Sequence, residues 1–120
     1  MESLSSYELG QWGEEVATRF LEQRGYEIIQ RNARLLRREV DIIAKQSGTI
    51  VFVEVKTRAS LRYGSGLEAV DRRKQNRLIQ AAKAYLGQGD TIRFDVISIL
   101  MDPASKQARQ IRHIRNAFTC

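Results

Sequence analysis

The chain has 120 residues, of which 42% are hydrophobic and 28% charged, and its formal net charge is +6. This is the composition of one globular domain, residues 1–120, which can bury a core without metals or disulfides. No apolar run approaches the roughly 18 residues that a membrane span needs, and the single cysteine, Cys120, excludes an intrachain disulfide. The first residues are acidic and polar, unlike a secretory signal, so we expect a cytoplasmic protein without membrane contact.

The N-terminal segment is predicted to be a helix. Ser5 and Glu8 have the spacing of a capping box, and apolar residues then recur at helical spacing from Leu9 to Leu21. Gly25 is expected to end this helix, because glycine commonly follows the last helical residue.

Three strands are predicted next, at Tyr26–Arg31, Glu39–Ala44 and Thr49–Thr57. The last two are separated by the turn-like sequence Gln46-Ser47-Gly48, which predicts that they form a hairpin. A second helix, Leu67–Leu86, and two further strands, Thr91–Leu100 and Gln110–Arg115, complete the chain. The order α-β-β-β-α-β-β predicts one α/β domain with a mixed central sheet flanked by helices.

The basic residues are concentrated in two segments. Residues 56–77 contain seven lysines and arginines against two acids, and residues 106–115 contain four basic residues and no acid. Arginine outnumbers lysine fifteen to five, and the guanidinium group suits phosphate geometry. The pattern favours a polyanionic partner such as nucleic acid, although a solvated, solubilising surface would have the same composition.

The third predicted strand is apolar until it reaches Glu54 and Lys56, which share one face because residues two apart do so in a strand. Charge at the end of a buried strand is costly unless it is paired or bound to a metal. If the hairpin loop is Gln46–Thr49, facing residues have numbers that sum to 95, so Asp41 faces Glu54. The same register places Glu39 opposite Lys56.

Two interpretations of these charges follow from the register. An ion pair of Lys56 with Glu54 or Glu39 would cap the edge of the sheet. Alternatively, the facing carboxylates of Asp41 and Glu54 repel each other unless a cation lies between them. An all-oxygen pair with room for water is the kind of site that Mg²⁺ or Mn²⁺ occupies.

The chain also resembles a known family in specific motifs. The matching residues are Gly10-x-x-Gly13-Glu14-x-x-Ala17, Gly25-Tyr26, Arg31-Asn32, Glu39-Val40-Asp41-Ile42-Ile43, Phe52-Val53-Glu54-Val55-Lys56-Thr57-Arg58, Lys74 and Arg93-Phe94-Asp95-Val96. They resemble the PD-(D/E)XK nuclease superfamily and, more closely, the YraN-like family of small bacterial proteins. The members of that family are themselves similar to archaeal Holliday junction resolvases. The resemblance implies a restriction-endonuclease-like core over about residues 10–100 and leaves the basic C-terminal segment, 103–120, uncovered.

The resemblance also implies a role for each matching position. Asp41, Glu54 and the backbone carbonyl of Val55 would hold Mg²⁺ or Mn²⁺. Lys56 would orient or deprotonate the attacking water, and Glu14 matches an acidic residue that related resolvases place near the metal. The basic residues expected to contact nucleic acid are Arg58, Arg62, Arg72, Arg73, Lys74 and Arg77.

The sequence departs from the family pattern at two positions, since Val40 replaces the superfamily's proline and Arg38 the family's usual glycine. The implied function is a Mg²⁺- or Mn²⁺-dependent endodeoxyribonuclease acting on branched or repair-intermediate DNA, and by analogy with resolvases a homodimer. Two alternatives stay open: a non-catalytic nucleic-acid-binding module on the same fold, and a small interaction protein that docks on an acidic partner.

Overall fold

The computed structural model describes residues 4–35, 38–59, 72–85 and 91–118, and it confirms the predicted order of elements. The helices and strands are α1 (Ser6–Gln23), β1 (Glu27–Leu35), β2 (Arg38–Gln46), β3 (Thr49–Arg58), α2 (Arg72–Tyr85), β4 (Thr91–Met101) and β5 (Ala108–Phe118). The predicted extensions of the second helix, residues 67–71 and Leu86, lie outside the described residues. In the part of the chain that is described, no helix is long and apolar enough to cross a membrane.

The predicted capping box begins α1. Ser5 Oγ accepts a hydrogen bond from the backbone N–H of Glu8 at 3.1 Å, and Glu8 Oε1 accepts one from the backbone N–H of Ser5 at 3.0 Å. Each bond satisfies an N–H that the first turn of a helix cannot pair internally. After the helix ends, Gly25 adopts a φ of 85°, a left-handed conformation that costs glycine little.

The five strands form one sheet in the order β1-β2-β3-β4-β5. The β3–β4 pair is parallel and the other three pairs are antiparallel, so α2 provides the crossover that a parallel pair requires. One core lies between the sheet and α1, and includes Leu21, Val51 and Val53. The other core lies between the sheet and α2, and includes Phe52 and Leu78.

The outer strands are longer than predicted. β1 continues to Leu35 and β5 spans Ala108–Phe118, whereas the sequence predicts strands that end at Arg31 and span only Gln110–Arg115. Both strands lie at the edges of the sheet. Polar residues are tolerated along the exposed side of an edge strand, so the hydrophobic pattern understates the length of these two elements.

The predicted hairpin forms with the predicted register. Ser47 and Gly48 have φ values of 49° and 80°, and two successive positive values are what a type I′ turn requires. The β2–β3 pairs run from Gln46–Thr49 to Ile42–Val53, and each pair sums to 95. Among the described residues the β2–β3 ladder ends at Ile42–Val53, so Asp41–Glu54 and Glu39–Lys56 lie beyond the ladder rather than within it.

Candidate active site

Asp41 fills the gap where β2 and β3 part. β2 still pairs with β1 as far as Arg38, and β3 still pairs with β4 as far as Arg58, so each strand stays in the sheet through its other neighbour. Val55 donates its backbone N–H to Oδ2 of Asp41 at 2.8 Å. The carboxylate therefore replaces the strand partner that this amide lacks. Without it, the backbone N–H would be unpaired, which costs free energy comparable to a lost hydrogen bond.

Glu54 and Lys56 lie on the α2 side of β3. Phe52 belongs to the core beneath α2, and residues two and four positions further along a strand share its face. Glu54 is 8% exposed, and its Oε1 lies 3.4 Å from Nζ of Lys56. The ion pair predicted as one interpretation of these charges is thus present with Glu54 rather than with Glu39. Such a pair supplies part of the compensation that a buried carboxylate needs.

A cleft of about 410 Å³ opens on the α1 side of the same strand end. It is lined by Ser6, Tyr7, Gly10, Gln11, Glu14, Asn32, Glu39, Asp41 and Val55. Val55 packs against the α1 core, whereas its neighbours in β3 point to the opposite face. The cleft and the Glu54–Lys56 pair are therefore separated by the strand, and Asp41 lies next to both.

Burial and neighbouring acids raise the pKa of Asp41. The pKa of Asp41 is raised to about 7, first by burial and then by the negative charge of Glu54, with a smaller contribution from Glu14, while the hydrogen bond from the backbone of Val55 opposes the rise. Carboxylates that crowd one another in this way share a proton or bind a cation. The structure therefore brings the predicted residues Glu14, Asp41 and Glu54 close enough to interact electrostatically.

Asn32 is a site residue that the sequence reasoning did not single out. It has a φ of 53°. With the amide assigned so that its nitrogen faces the acids, the orientation in which both amide atoms find partners, Asn32 donates to Oε1 of Glu14 at 2.8 Å and to Oε1 of Glu39 at 3.2 Å. Two carboxylates on different elements are thereby held by one neutral donor group. Asparagine tolerates a left-handed conformation better than most residues. The presence of an asparagine in the sequence does not by itself indicate which groups its side chain contacts.

Gly13 explains how α1 comes close enough to place Glu14 beside the strands. A Cβ atom at Gly13 would lie 1.8 Å from Oγ1 of Thr57 on β3, a distance that no real contact allows. The helix therefore approaches the strand directly at this glycine. Glu14, the next residue along the helix, lines the cleft as a result.

The acids of α1 differ in their partners. Glu15 binds Arg31 at 2.9 Å and Arg19 at 3.1 Å, and the bond from Arg31 and then that from Arg19 lower the pKa of Glu15. Within the described ranges, no lysine or arginine forms a comparable ion pair with Glu14 or Asp41. Their negative charge is the feature of the cleft that a bound cation would balance.

The metal ligands expected from the sequence are two carboxylates and one backbone carbonyl. Among the described residues, no group of three or more His, Cys, Asp or Glu side chains is arranged to hold a metal by itself. Mg²⁺ commonly takes only one or two carboxylates and fills its other positions with water and substrate oxygens. The assignment of Asp41, Glu54 and the carbonyl of Val55 as ligands of such an ion stays a prediction.

The basic residues expected to contact nucleic acid are distributed over two elements. Arg58 lies half-buried near the end of β3, and Arg72, Arg73 and Arg77 are exposed on α2. Arg62 and the side chain of Lys74 lie outside what the structure describes. The role of these residues in nucleic-acid binding stays a prediction.

A separate polar cluster joins β4, β5 and Tyr26, which lies between α1 and β1. Asp95 is 1% exposed and accepts two hydrogen bonds from Arg93, both at 2.9 Å. It also contacts Nε2 of His113 at 2.7 Å and accepts the backbone N–H of Asn116 at 2.9 Å. Arg93 in turn donates to the hydroxyl of Tyr26 at 2.6 Å. Asp95 is thus a buried acid whose charge is compensated by hydrogen bonds from β4 and β5.

The sequence is similar to one family throughout most of its length. A model of the uncharacterised protein family UPF0102 matches residues 13–99. A UPF0102 protein of Chlorobium phaeobacteroides is 52% identical over 117 residues, which are 92% of each chain. Another, from Caldanaerobacter subterraneus, is 35% identical over 122 residues, covering 98% of this chain and all of the relative.

A solved structure shows a similar fold. The crystal structure of an fdxN element excision controlling factor protein from Anabaena variabilis matches with a TM-score of 0.50 and 14% identity, covering 84% of this chain and 98% of that one. At this identity the likeness concerns the fold alone. The five-stranded mixed sheet with its two flanking helices is the predicted α/β, restriction-endonuclease-like core.

Proposed function

The chain belongs to the uncharacterised protein family UPF0102, and we propose that it is a metal-dependent endonuclease that hydrolyses phosphodiester bonds in DNA. The observation that carries the proposal is the position of Asp41 at the fork between β2 and β3, beside Glu54 and Glu14, with its pKa raised to about 7. Crowded carboxylates at the end of a hairpin, with Lys56 two residues beyond Glu54, support assignment to the PD-(D/E)XK nucleases that resemble Holliday junction resolvases.

In this proposal Asp41, Glu54 and the carbonyl of Val55 hold Mg²⁺ or Mn²⁺. The ion supplies a Lewis acid that lowers the pKa of a bound water and neutralises charge on the scissile phosphate. Lys56 orients the attacking water and stabilises the negative charge that develops on phosphate oxygens. Its ion pair with Glu54, at 3.4 Å, keeps the ammonium group at the end of β3, where it would meet the substrate.

Glu14 and Asn32 complete the α1 side of the proposed site. Glu14 lines the cleft together with Asp41 and would accept hydrogen bonds from water in the site. Asn32 fixes the position of the Glu14 carboxylate through its 2.8 Å hydrogen bond. DNA is the substrate that we propose because exposed arginines lie on α2 and the chain is strongly basic, with a net charge of +6.

A non-catalytic nucleic-acid-binding module is the second candidate. The observation that favours it is the lack of three or more metal-binding side chains in one group within the described residues. In this case the Glu54–Lys56 ion pair serves only to stabilise the sheet. Binding to DNA would then be sensitive to salt but independent of divalent ions.

The decisive experiment incubates the protein with labelled linear, flapped and four-way DNA in Mg²⁺, Mn²⁺ or EDTA. We expect cleavage that requires the divalent ion and is lost in Asp41→Asn, Glu54→Gln and Lys56→Met. The matched controls are Glu22→Gln and Lys45→Met, which change exposed residues of the same types and should retain activity. Cleavage that persists in all three site variants would overturn the site assignment. Salt-sensitive binding without any cleavage would favour the binding module.

A further inference from the structure

Strand β5 places an arginine in line with Lys56. In the parallel β3–β4 pair Lys56 is the register partner of Ser98, and in the antiparallel β4–β5 pair Ser98 is the partner of Arg112. Register partners lie on the same face of a sheet. The three residues therefore form one row across three strands.

The row lies on the same face as Glu54, not on that of α1. On β5, Ile111 packs against the α1 core. His113 contacts the ring of Phe20 on α1 and that of Tyr26, which follows the helix. Arg112 lies between these two residues, so it points to the opposite face. Its side chain is exposed, whereas the Lys56 side chain is only 25% exposed.

The spacing of this row suits a polyanionic backbone. Neighbouring strands are about 4.8 Å apart, so Lys56 and Arg112 are separated by about 10 Å across the sheet. Duplex DNA carries one negative charge per about 1.7 Å of helix axis, so other phosphates lie within that distance of the phosphate at Lys56. β5 contains three arginines and no acid, and no neighbour on its own strand therefore offsets the positive charge.

We infer that Arg112 binds a DNA phosphate beside the one that lies at Lys56, and that β5 is part of the DNA-binding surface. The inference rests on the proposed function, which it extends to a strand outside the family match at residues 13–99. Arg112 is not a catalytic residue in this assignment. It positions the duplex through a charged, two-pronged contact that guanidinium makes well with phosphate.

Arg115 provides a matched control on the same strand. It is exposed, and it donates to Oε1 of Gln46 at 3.4 Å. Arg115 lies three residues from Arg112 along β5, about 10 Å, and residues an odd number apart in a strand point to opposite faces. Removing Arg115 thus changes the net charge equally but on the face of the sheet opposite the row that contains Lys56.

The test is the affinity for a short labelled DNA duplex in EDTA, measured by fluorescence anisotropy between about 50 and 200 mM salt. We expect Arg112→Ala to weaken binding severalfold and to reduce the slope of log K against log salt by about 0.9, the value for one phosphate contact. Arg112→Lys should restore the slope, and Arg115→Ala should keep the slope of the unmodified protein.

The outcomes separate this inference from the proposed function. Suppose that the unmodified protein cleaves DNA, and that Arg112→Ala and Arg115→Ala both bind the duplex with the same affinity and the same salt slope as the unmodified protein. The inference is then wrong and the proposed function stands. If Arg115→Ala weakens binding as much as Arg112→Ala, the effect is one of net charge and the inference is also wrong. If the unmodified protein neither binds nor cleaves DNA, both proposals fail. Urea unfolding of each variant excludes loss of folding as the cause.

Discussion

The backbone N–H of Val55 is bound by the side chain of Asp41, at 2.8 Å, at the point where β2 and β3 stop pairing. A residue proposed as a metal ligand therefore also holds the fork of the hairpin together. The two roles can be separated by substitutions that keep or remove the acceptor oxygen and the charge. Asn keeps an acceptor without the charge, whereas Ala removes both.

In EDTA, Asp41→Asn should make the protein more stable at pH 8, by about 2–4 kcal/mol. The folded-state pKa of Asp41 is about 7, above its ordinary value of 3.8. The unfolded chain therefore releases this proton first as pH rises, and the folded state loses stability between about pH 4 and 7. Below pH 4 the variant and the unmodified protein should converge.

Urea unfolding at several pH values measures this difference. Glu22→Gln, at an exposed position of α1, is the control and should show no such dependence. Asp41→Ala should be less stable than Asp41→Asn at every pH because it leaves the Val55 amide without an acceptor. A variant Asp41→Asn that is less stable than the unmodified protein at pH 8 would contradict the crowding of carboxylates at the fork.

Gly13→Ala should destabilise the protein by about 1–3 kcal/mol, the usual cost of overpacking. The new methyl group would lie 1.8 Å from Oγ1 of Thr57, so α1 must move away from β3. Gly10→Ala is the matched control, because no atom lies within 4 Å of its added Cβ. Since alanine favours helix over glycine by up to about 1 kcal/mol, this control should be stabilised.

Thermal or urea unfolding compares the two glycine variants. If the glycine serves the site, Gly13→Ala should also reduce cleavage more than its loss of stability explains, since Glu14 moves with the helix. Equal stability of Gly13→Ala and Gly10→Ala would show that α1 does not contact β3 as described.

Asn32→Asp should destabilise the protein at pH 8 by up to about 1 kcal/mol and much less at pH 4. The amide of Asn32 donates to Glu14 and Glu39, and a carboxylate in its place would repel both. Aspartate tolerates the φ of 53° nearly as well as asparagine, so the backbone is not the cause. Asn76→Asp, exposed on α2, is the control for the change of charge.

Asp95→Asn should cost about 3–5 kcal/mol of stability at pH 7, because it leaves Arg93 without its buried counter-charge. Hydrogen bonds from His113 and Arg93 outweigh burial and lower the pKa of Asp95. Its contribution is therefore fully present above the unfolded pKa of about 4 and is lost as pH falls through the depressed folded value. Chemical unfolding at pH 7 and at acidic pH checks this, and a difference below about 1 kcal/mol at pH 7 would contradict the cluster.

Local chemistry made part of this fold predictable. The capping box at Ser5 and the Ser47–Gly48 turn are decided by neighbouring residues, and the turn then determines the register of β2 and β3. The apolar pattern of β3 places Glu54 and Lys56 on one face. The hydrophobic pattern carried less information for β1 and β5, since one side of each edge strand has no sheet partner.

The assignment of Glu14, Asp41, Glu54 and Lys56 as catalytic stays a prediction, but the sequence alone indicated a site at this hairpin. Register arithmetic identified Asp41, and the family resemblance pointed to Glu14. Neither could show that the ladder ends one pair before Asp41, because strand separation depends on how β2 and β3 each pair with their outer neighbours. The sequence had suggested directly facing carboxylates, whereas the structure places Asp41 in the gap.

Tertiary structure alone decided which distant residues meet at the fork. Gly13 touches Thr57 although they are far apart in the chain, and this contact brings Glu14 to the strands. Asn32 reaches the same acids from β1, and Arg112 joins the row of Lys56 through two strand registers. Such contacts follow from the packing of whole elements and not from local propensity, so the sequence determined the hairpin and its charges while the packing decided the surroundings in which those charges act.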